Sequence, residues 1–326
     1  MKKLLTILLA TICLFALCAC NSGSNQGSNQ GSNQGSNPTG SNLKVGIVQT
    51  TQHPALDAAT QGFVDALKEN GITDVDVQNA SGESANCSTI VGNFVADGVD
   101  LIMANATPAL QAASAATDTI PVLGTSITVY DVVLGGNVPK NVSGTTDLAP
   151  LDEQASMIKE LFPDAKKVGI LFCSAEPNSQ YQVDKISKFL NEDGIETVNY
   201  VFNDSNDITA VTEKAVNDKV DVIYIPTDNT AASNTQAIAN VVLPAGIPVF
   251  TGEEGPCAGC GVATLTISYY DIGFKTGEMA ADILLNGADI STMEIESAPQ
   301  FVKKFNKTNA EKLGITIPED YIAIEE

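Results

Sequence analysis

Polar side chains that could bind a small molecule follow several apolar segments of this chain. Thr51 and His53 come shortly after the run LKVGIV, and Asn105 and Thr107 come after VDLIMA. The other candidates occupy comparable positions further along the chain: Thr125, Ser126, Ser174, Glu176, Asn178, Asp228, Asn229, Glu253 and Glu254. Hydroxyl, amide and carboxylate groups of this kind can hydrogen-bond to a small polar ligand.

Three of these candidates are followed by a proline, which is common in the first turn of a helix. The pairs are His53-Pro54, Thr107-Pro108 and Glu176-Pro177. Free N–H groups at a helix N-terminus carry partial positive charge and can bind a carboxylate. The chain contains no arginine, so a ligand carboxylate would depend on such N–H groups, on hydroxyls or on lysine. Helix capping alone is the alternative role for each candidate.

Acidic and aromatic side chains supply the complementary chemistry. Asp228, Glu253 or Glu254 could pair with a ligand ammonium, although Asp228 could instead cap a helix that begins near Asn229. Three tyrosines could flank a ligand ring, with packing in the core as the alternative for each: Tyr130, Tyr181 and Tyr269.

Composition excludes several classes of protein. The 326 residues are 44% apolar, which is enough for a sizeable core, and the net charge is −22. Such an acidic surface repels phosphate backbones, so nucleic acid is not an expected partner. The single histidine, His53, argues against a histidine-rich metal site and against a Ser/His/Asp triad. We therefore expect no metal and no cofactor.

Apolar runs and amphipathic segments alternate from Leu43 onward, and this βαβα pattern predicts parallel sheets covered by helices. The pattern occurs twice, because KVGI, VDLI and IPVL recur as KVGI, VDVI and IPVF at offsets of 121 to 127 residues. The sequence therefore predicts an α/β fold with two similar Rossmann-like lobes. One long doubly wound sheet is the alternative. Ligands of such sheets bind beyond the carboxyl ends of the strands, where the candidate residues lie.

The N-terminus has the pattern of an export signal. A basic start, an apolar run to Leu17 and small residues before Cys20 predict a lipoprotein signal peptide over 1–19, with Cys20 acylated, for example by palmitate. An ordinary secretory signal or a membrane anchor is the alternative. Residues 20–42 repeat GSNQ and cannot bury apolar surface, so they predict a flexible tether to a membrane.

Cys257 and Cys260 form a CxxC motif. A disulfide is one interpretation, since the outside of a cell is oxidising. A thioredoxin-like redox centre and two free thiols are the other interpretations, whereas a zinc site would lack ligands.

Longer motifs give the chain a specific resemblance. The segments KVGIVQTTQHPALD, FVADGVDLIMANATPALQAA, VGILFCSAEPNS, VDVIYIPTDNT, IPVFTGEEG and ISYYDIG resemble those of the solute-binding proteins of bacterial ABC importers, in particular the tryptophan- and tyrosine-binding subgroup. The resemblance implies the type I periplasmic-binding fold, with a ligand cleft between the lobes. It implies lobes composed of 43–147 with 252–287, and of 148–251 with 288–326.

The same resemblance implies a function. We expect a monomeric, lipid-anchored receptor on the extracytoplasmic face of the cell membrane that closes on an amino acid, aromatic by resemblance, and delivers it to an ABC permease. A sugar or nucleoside ligand is the first alternative, although the absence of arginine and tryptophan disfavours a sugar. A receptor that signals without transport, and a lipid-anchored hydrolase, are the others. G-x-S-x-G is absent from the sequence, and we expect no enzymatic activity.

Overall fold

The computed structural model describes residues 43–325. The predicted signal peptide, the tether and Cys20 lie outside the described residues. Within residues 43–325, none of the helices has both the length and the apolar character needed to cross a membrane.

Strands and helices alternate along the described chain. The strands are β1 (Lys44–Gln49), β2 (Asp74–Asn79), β3 (Leu101–Asn105), β4 (Val122–Ile127), β5 (Val142–Thr146), β6 (Lys167–Cys173), β7 (Glu196–Phe202), β8 (Val222–Ile225), β9 (Val249–Thr251), β10 (Ala263–Thr266), β11 (Glu296–Ser297), β12 (Val302–Phe305) and β13 (Ile322–Ala323). The helices are α1 (Pro54–Glu69), α2 (Ser84–Asp97), α3 (Thr107–Ala116), α4 (Tyr130–Val133), α5 (Leu151–Leu161), α6 (Pro177–Glu192), α7 (Ile208–Asn217), α8 (Asn229–Ala232), α9 (Thr235–Ala245), α10 (Glu254–Gly259), α11 (Tyr269–Asn286) and α12 (Lys307–Leu313).

These strands form two sheets with the same internal order. The first sheet runs β2-β1-β3-β4-β5-β11 and the second runs β7-β6-β8-β9-β10-β12-β13. Pairing is parallel apart from the antiparallel β10–β12 pair. The five leading strands of each sheet correspond one to one, which confirms the α/β fold class with two similar Rossmann-like halves. We call each sheet with its covering helices a lobe.

The chain passes between the lobes at positions that differ in part from those expected. It leaves the first sheet after β5, at residues 147–150, and returns after β10, at residues 267–268. It crosses once more between β11 and β12, at residues 298–301. Assigning 252–266 to the first lobe and 288–297 to the second was wrong, because β10 pairs with β9 and β11 pairs with β5. The fifth strand of each sheet, β5 or β10, therefore belongs to the same lobe as the four strands before it.

The central strands of each sheet are buried on both faces, because helices cover the two sides. Within β3, Leu101 and Met103 belong to one apolar cluster, whereas Ile102 and Ala104 belong to another on the opposite face. The alternation follows from the two-residue period of a strand. Buried strands of this kind hold the loops at their carboxyl ends in fixed positions.

Helix α11 is reached from the second lobe but packs on α1 of the first. A Cβ on Gly273 would lie 2.0 Å from the carbonyl oxygen of Ala59, and one on Gly62 would lie 2.1 Å from that of Tyr270. Glycine on both helices therefore permits a close approach of their backbones. This contact fixes α11, and with it Tyr269 at the start of that helix.

Cys257 and Cys260 are buried thiols in the structure, not a disulfide. The Sγ of Cys260 donates to the Pro256 carbonyl at 3.3 Å, at the end of α10. Burial raises the pKa of Cys260 to about 12 and raises that of Cys257 as well. Both thiols therefore stay protonated and serve as apolar packing groups.

Candidate ligand-binding site

A narrow cavity of about 10 Å³, with room for about one water molecule, lies where the carboxyl ends of the two sheets face each other. Both lobes contribute to its wall. The lining residues are His53, Leu56, Ser126, Thr128, Asp147, Asn178, Thr227, Asp228, Asn229, Glu253 and Tyr269. Most of them are polar, so the cavity suits a small polar or charged ligand.

The thirteen candidates expected from the sequence divide into three groups. Six of them line the cavity: His53, Ser126, Asn178, Asp228, Asn229 and Glu253. Glu176 and Thr51 line an outer groove beside it. The remaining five line neither the cavity nor this groove: Asn105, Thr107, Thr125, Ser174 and Glu254.

Contacts explain the positions of three of these five residues. Asn105 donates to the Leu56 carbonyl and so fixes β3 against α1. Thr125 bonds to Thr145 within the first sheet. Glu254 pairs with Lys304 at 2.7 Å, on the outside of the second lobe.

The N-termini of four helices converge on the cavity. The residues that precede α1, α6, α8 and α10 are His53, Glu176, Asp228 and Glu253, respectively. Only Asp228 bonds to an N–H of its own helix. The partial positive charges of these termini offset the acidic side chains around them. The side chains of His53, Glu176 and Glu253 do not cap their own helices, so they can bond to other groups.

Asp228 is fully buried and has three protein donors. It accepts from Ala231 N at 2.9 Å, from Cys173 N at 2.7 Å and from the Ser179 hydroxyl at 2.8 Å. Burial and the neighbouring charge of Glu176 raise the pKa of Asp228, while these hydrogen bonds oppose the rise. The carboxylate therefore joins β6, α6 and α8.

Glu176 has a similar structural role. Its carboxylate accepts from the backbone N–H and the side-chain amide of Asn229, at 2.9 and 2.7 Å. It also accepts from the backbone N–H and the hydroxyl of Thr230, at 2.9 and 2.8 Å. These bonds fix the orientation of the Asn229 amide at the cavity wall.

Asp147 and Glu253 have fewer donors. The Tyr269 hydroxyl donates to Asp147 at 3.1 Å, the Thr128 hydroxyl donates to it at 3.3 Å, and Tyr269 is also close to the Glu253 carboxylate. Burial raises the pKa of Asp147 to about 6. Burial, followed by the charge of Asp147, raises the pKa of Glu253 to about 8. Two buried carboxyl groups with few donors can each accept a charge-assisted hydrogen bond from a cationic group of a ligand.

Three buried polar atoms of the wall have no hydrogen-bond partner among residues 43–325. They are His53 Nδ1, Ser126 Oγ and Asn178 Oδ1. Buried polar groups are nearly always paired in folded proteins. Their concentration in one cavity indicates that a bound molecule supplies the missing partners.

Sequence reasoning did not place Thr128 or Asp147 at the site. They follow β4 and β5 closely, so they obey the same strand-end rule as the other candidates. The segment VSGTT of β5 carries few large apolar side chains, and for that reason it was not recognised as a strand. Its correspondence with β10 in the second lobe is the signal that could have revealed both residues.

Comparison with known proteins agrees with this geometry. A family model described as "ABC transporter substrate binding protein" matches residues 44–325. A tyrosine-binding protein of Clostridioides difficile is 36% identical over 251 residues, which are 74% of this chain and 72% of that protein.

Two solved structures extend the comparison. An ABC domain from Streptococcus pneumoniae in complex with L-Trp has a TM-score of 0.81 at 31% identity, over 85% of this chain and 96% of that one. The ligand-free, open structure of a substrate-binding protein with adhesive properties from Clostridium difficile has a TM-score of 0.66 at 34% identity, over 87% and 99%. The sequence is slightly more similar to the second protein, yet the coordinates are more similar to the first. The coordinates of this chain are therefore more similar to those of the L-Trp complex than to those of the open structure.

Proposed function

The chain belongs to the family of ABC transporter substrate-binding proteins, and we propose that its cavity binds an aromatic amino acid and delivers it to a membrane permease. The family functions outside the cytoplasm, as the binding component of a transporter. The similarity to a tyrosine-binding protein and to an L-Trp complex supports an amino acid of this class.

The pair of buried carboxyl groups, Asp147 and Glu253, is the observation that carries the proposal. A ligand ammonium between them offsets one negative charge and can donate a charge-assisted hydrogen bond to each group. Asp228 and Glu176 do not compete for this role, because protein donors already satisfy them. The ammonium site therefore lies beside Tyr269, near the crossings between the lobes.

Ligand entry requires the lobes to separate. The cavity between the lobes, about 10 Å³, is too small to hold an amino acid as it stands, while the outer groove beside it is open to solvent and lined by residues of both lobes. Hinge movement about the crossings exposes the wall, and closure on the ligand then removes water from it. In this proposal the protein binds its ligand without converting it chemically.

The N-terminal sequence supports anchoring at a membrane. Cleavage before Cys20 and acylation of that cysteine would hold the two lobes near the permease on a tether of residues 20–42. Replacing Cys20 by alanine should release the protein from membranes into the soluble fraction. If the Cys20→Ala variant stays with the membrane, the lipid anchor is excluded.

Isothermal titration of the purified protein with single compounds tests the ligand class. We expect L-tyrosine or L-tryptophan to bind, and D-glucose and adenosine to give no heat. A ligand at about 100 times its dissociation constant should also stabilise the folded state by about 2.7 kcal/mol in a thermal melt. Binding of the sugar or the nucleoside without any amino acid contradicts the proposal.

A further inference from the structure

The cavity has no fixed positive charge that could pair with the carboxylate of an amino acid. The chain has no arginine, and lysine is not among the residues that line the cavity. The ammonium site described above consists of carboxyl groups, which repel a carboxylate. The ligand carboxylate must therefore be bound by other groups of the wall.

His53 has a ring nitrogen suited to this task. The residue is 5% exposed, and its Nε2 lies 3.4 Å from Asn229 Oδ1. The amide nitrogen of Asn229 donates to Glu176 at 2.7 Å, so Asn229 presents its oxygen to His53. Nε2 must then carry a hydrogen, and Nδ1 is left without a partner among residues 43–325.

Ser126 provides an independent observation on the same side of the cavity. Its hydroxyl is buried and unpartnered within the described part of the chain. Its backbone has a φ of 58°, at the point where the β4–β5 register shifts between Gly124 and Ile127. Serine rarely adopts this conformation, and such strain is concentrated at functional sites.

The first turn of α1 adds further donors. Pro54, which begins this helix after His53, has no N–H, and Asp57 N donates to the His53 carbonyl at 3.0 Å. The N–H groups of Ala55 and Leu56 are those without a partner within the helix. Leu56 of that turn lines the cavity. The positive end of the helix therefore lies next to the imidazole and favours an anion there.

We infer that His53, Ser126 and the first turn of α1 form the subsite for the ligand carboxylate, and that His53 takes up a proton when an amino acid binds. The inference rests on the proposed function. The proton comes from solvent and forms an Nδ1–H bond, while the ligand carboxylate remains ionised. Imidazolium then donates from Nε2 to Asn229 and from Nδ1 to the ligand.

The charges around His53 agree with a proton that arrives with the ligand. Burial lowers the pKa of His53, while the hydrogen bond to Asn229 and the charges of Glu176 and Asp57 oppose the decrease. Across the cavity, the acidic groups on its wall are Asp147, Asp228 and Glu253. A ligand carboxylate in contact with Nδ1 adds the negative charge that favours the imidazolium form.

A comparison of L-tyrosine with tyramine, which lacks only the carboxylate, tests the inference. For His53→Leu we expect the affinity for L-tyrosine to fall about 10- to 100-fold, the effect of losing a hydrogen bond to a charged group. The affinity for tyramine should fall less than about 3-fold, and His53→Gln, which retains amide donors, should recover part of the loss. Gln52→Ala is the matched control, because that side chain is an exposed neighbour in the same loop. Equal losses of affinity for L-tyrosine and tyramine overturn the inference. That result would mean that a neutral Nδ1 accepts a hydrogen bond from the ammonium, which both ligands carry.

Nuclear magnetic resonance of the wild-type protein provides a measurement that needs no variant. His53 is the only histidine of the chain, so imidazole signals from a protein without a histidine tag report on this residue alone. Saturation with L-tyrosine at pH 7 should shift the ring nitrogens to the imidazolium values, and tyramine should not. A neutral ring in the presence of bound L-tyrosine overturns the inference. Failure of wild-type protein to bind any aromatic amino acid contradicts the proposed function instead.

Discussion

The acidic side chains of the cavity differ in how many protein donors each already has. Asp228 and Glu176 accept several short hydrogen bonds from backbone and side-chain groups, so their charge is used within the fold. Asp147 and Glu253 lack such support, and burial raises the pKa of both. Proximity to the cavity therefore does not by itself identify a ligand contact; the count of existing donors separates the two roles.

Asp228→Asn should affect stability more than binding. The asparagine side chain could still accept from Ala231 N, but its amide nitrogen would face the N–H of Cys173, which now donates at 2.7 Å. An unpaired buried donor costs about 1–3 kcal/mol. We expect urea denaturation of the ligand-free protein to show a loss in this range. A loss of affinity for L-tyrosine with unchanged stability would assign Asp228 to the ammonium instead.

Glu253→Gln should have the opposite effects. Loss of the charged partner should weaken L-tyrosine binding by about 1.5–3 kcal/mol, because the ammonium keeps only Asp147. The empty protein should be as stable as the wild type or more so, since the variant removes a carboxyl group that is costly to ionise when buried. Titration calorimetry and urea denaturation measure the two quantities, and unchanged affinity would remove Glu253 from the ammonium site.

The raised pKa of Glu253 also predicts a dependence of stability on pH. The group has a pKa of about 8 in the folded protein, against an ordinary value of 4.5, so the folded state binds the extra proton between these values. The free energy of unfolding of the ligand-free protein should therefore decrease as pH rises from about 5 to 8, by a few kcal/mol at most. Glu253→Gln should reduce this slope. Equal slopes for the variant and the wild type would show that Glu253 ionises normally.

At the scale of elements, the helix pair α1–α11 controls where the site residues lie. His53 precedes α1 and Tyr269 begins α11, and the two helices approach closely through their glycines. Gly273→Ala would place a Cβ 2.0 Å from the Ala59 carbonyl, so the helices must move apart. We expect a loss of about 1–3 kcal/mol of stability, as for other overpacked contacts.

Gly92→Ala is the matched control for this prediction. Gly92 lies inside α2, and a Cβ there meets no atom within 4 Å. Alanine should stabilise that helix by about 0.5–1 kcal/mol. Thermal melts of the two variants should therefore shift in opposite directions, and a neutral Gly273→Ala would mean that the helix contact can relax.

The elements also show how far the sequence could be interpreted without a structure. The repeated apolar runs predicted β1, β3 and β4 and their counterparts β6, β8 and β9, because strands buried on both faces are almost continuously apolar. The fifth strand of each lobe was missed. VSGTT and ATLT are short and rich in hydroxyl side chains, so periodicity does not reveal them. The crossing expected after β9 was therefore misplaced, because the chain leaves the second lobe only after β10. The crossing after β5 lies where it was expected, but Asp147 was not recognised as a site residue. Orphaned atoms such as His53 Nδ1 depend on tertiary packing, which the sequence pattern does not encode.

For the molecule as a whole, ligand binding in the proposed function depends on how far the two lobes are separated. Direct hydrogen bonds across the cavity include His53–Asn229 and Gln182–Thr128, both 3.4 Å long. Bonds of this length contribute little free energy. The acidic groups that face each other across the cavity also oppose closure while no cation lies between them. In the proposed function, closure therefore depends on the ligand, which would supply the ammonium and partners for the unpaired atoms.

Small-angle X-ray scattering can measure this dependence. We expect the radius of gyration of the wild-type protein to decrease when L-tyrosine is added and to stay constant with D-glucose, because only the amino acid favours the closed arrangement. At an L-tyrosine concentration that saturates the wild type but lies below the dissociation constant of Glu253→Gln, the variant should remain extended. A higher concentration should then close the variant as well, since the hinge is unchanged. A wild-type protein that is already compact without ligand, and does not change on addition of L-tyrosine, would show that contacts between the lobes suffice for closure.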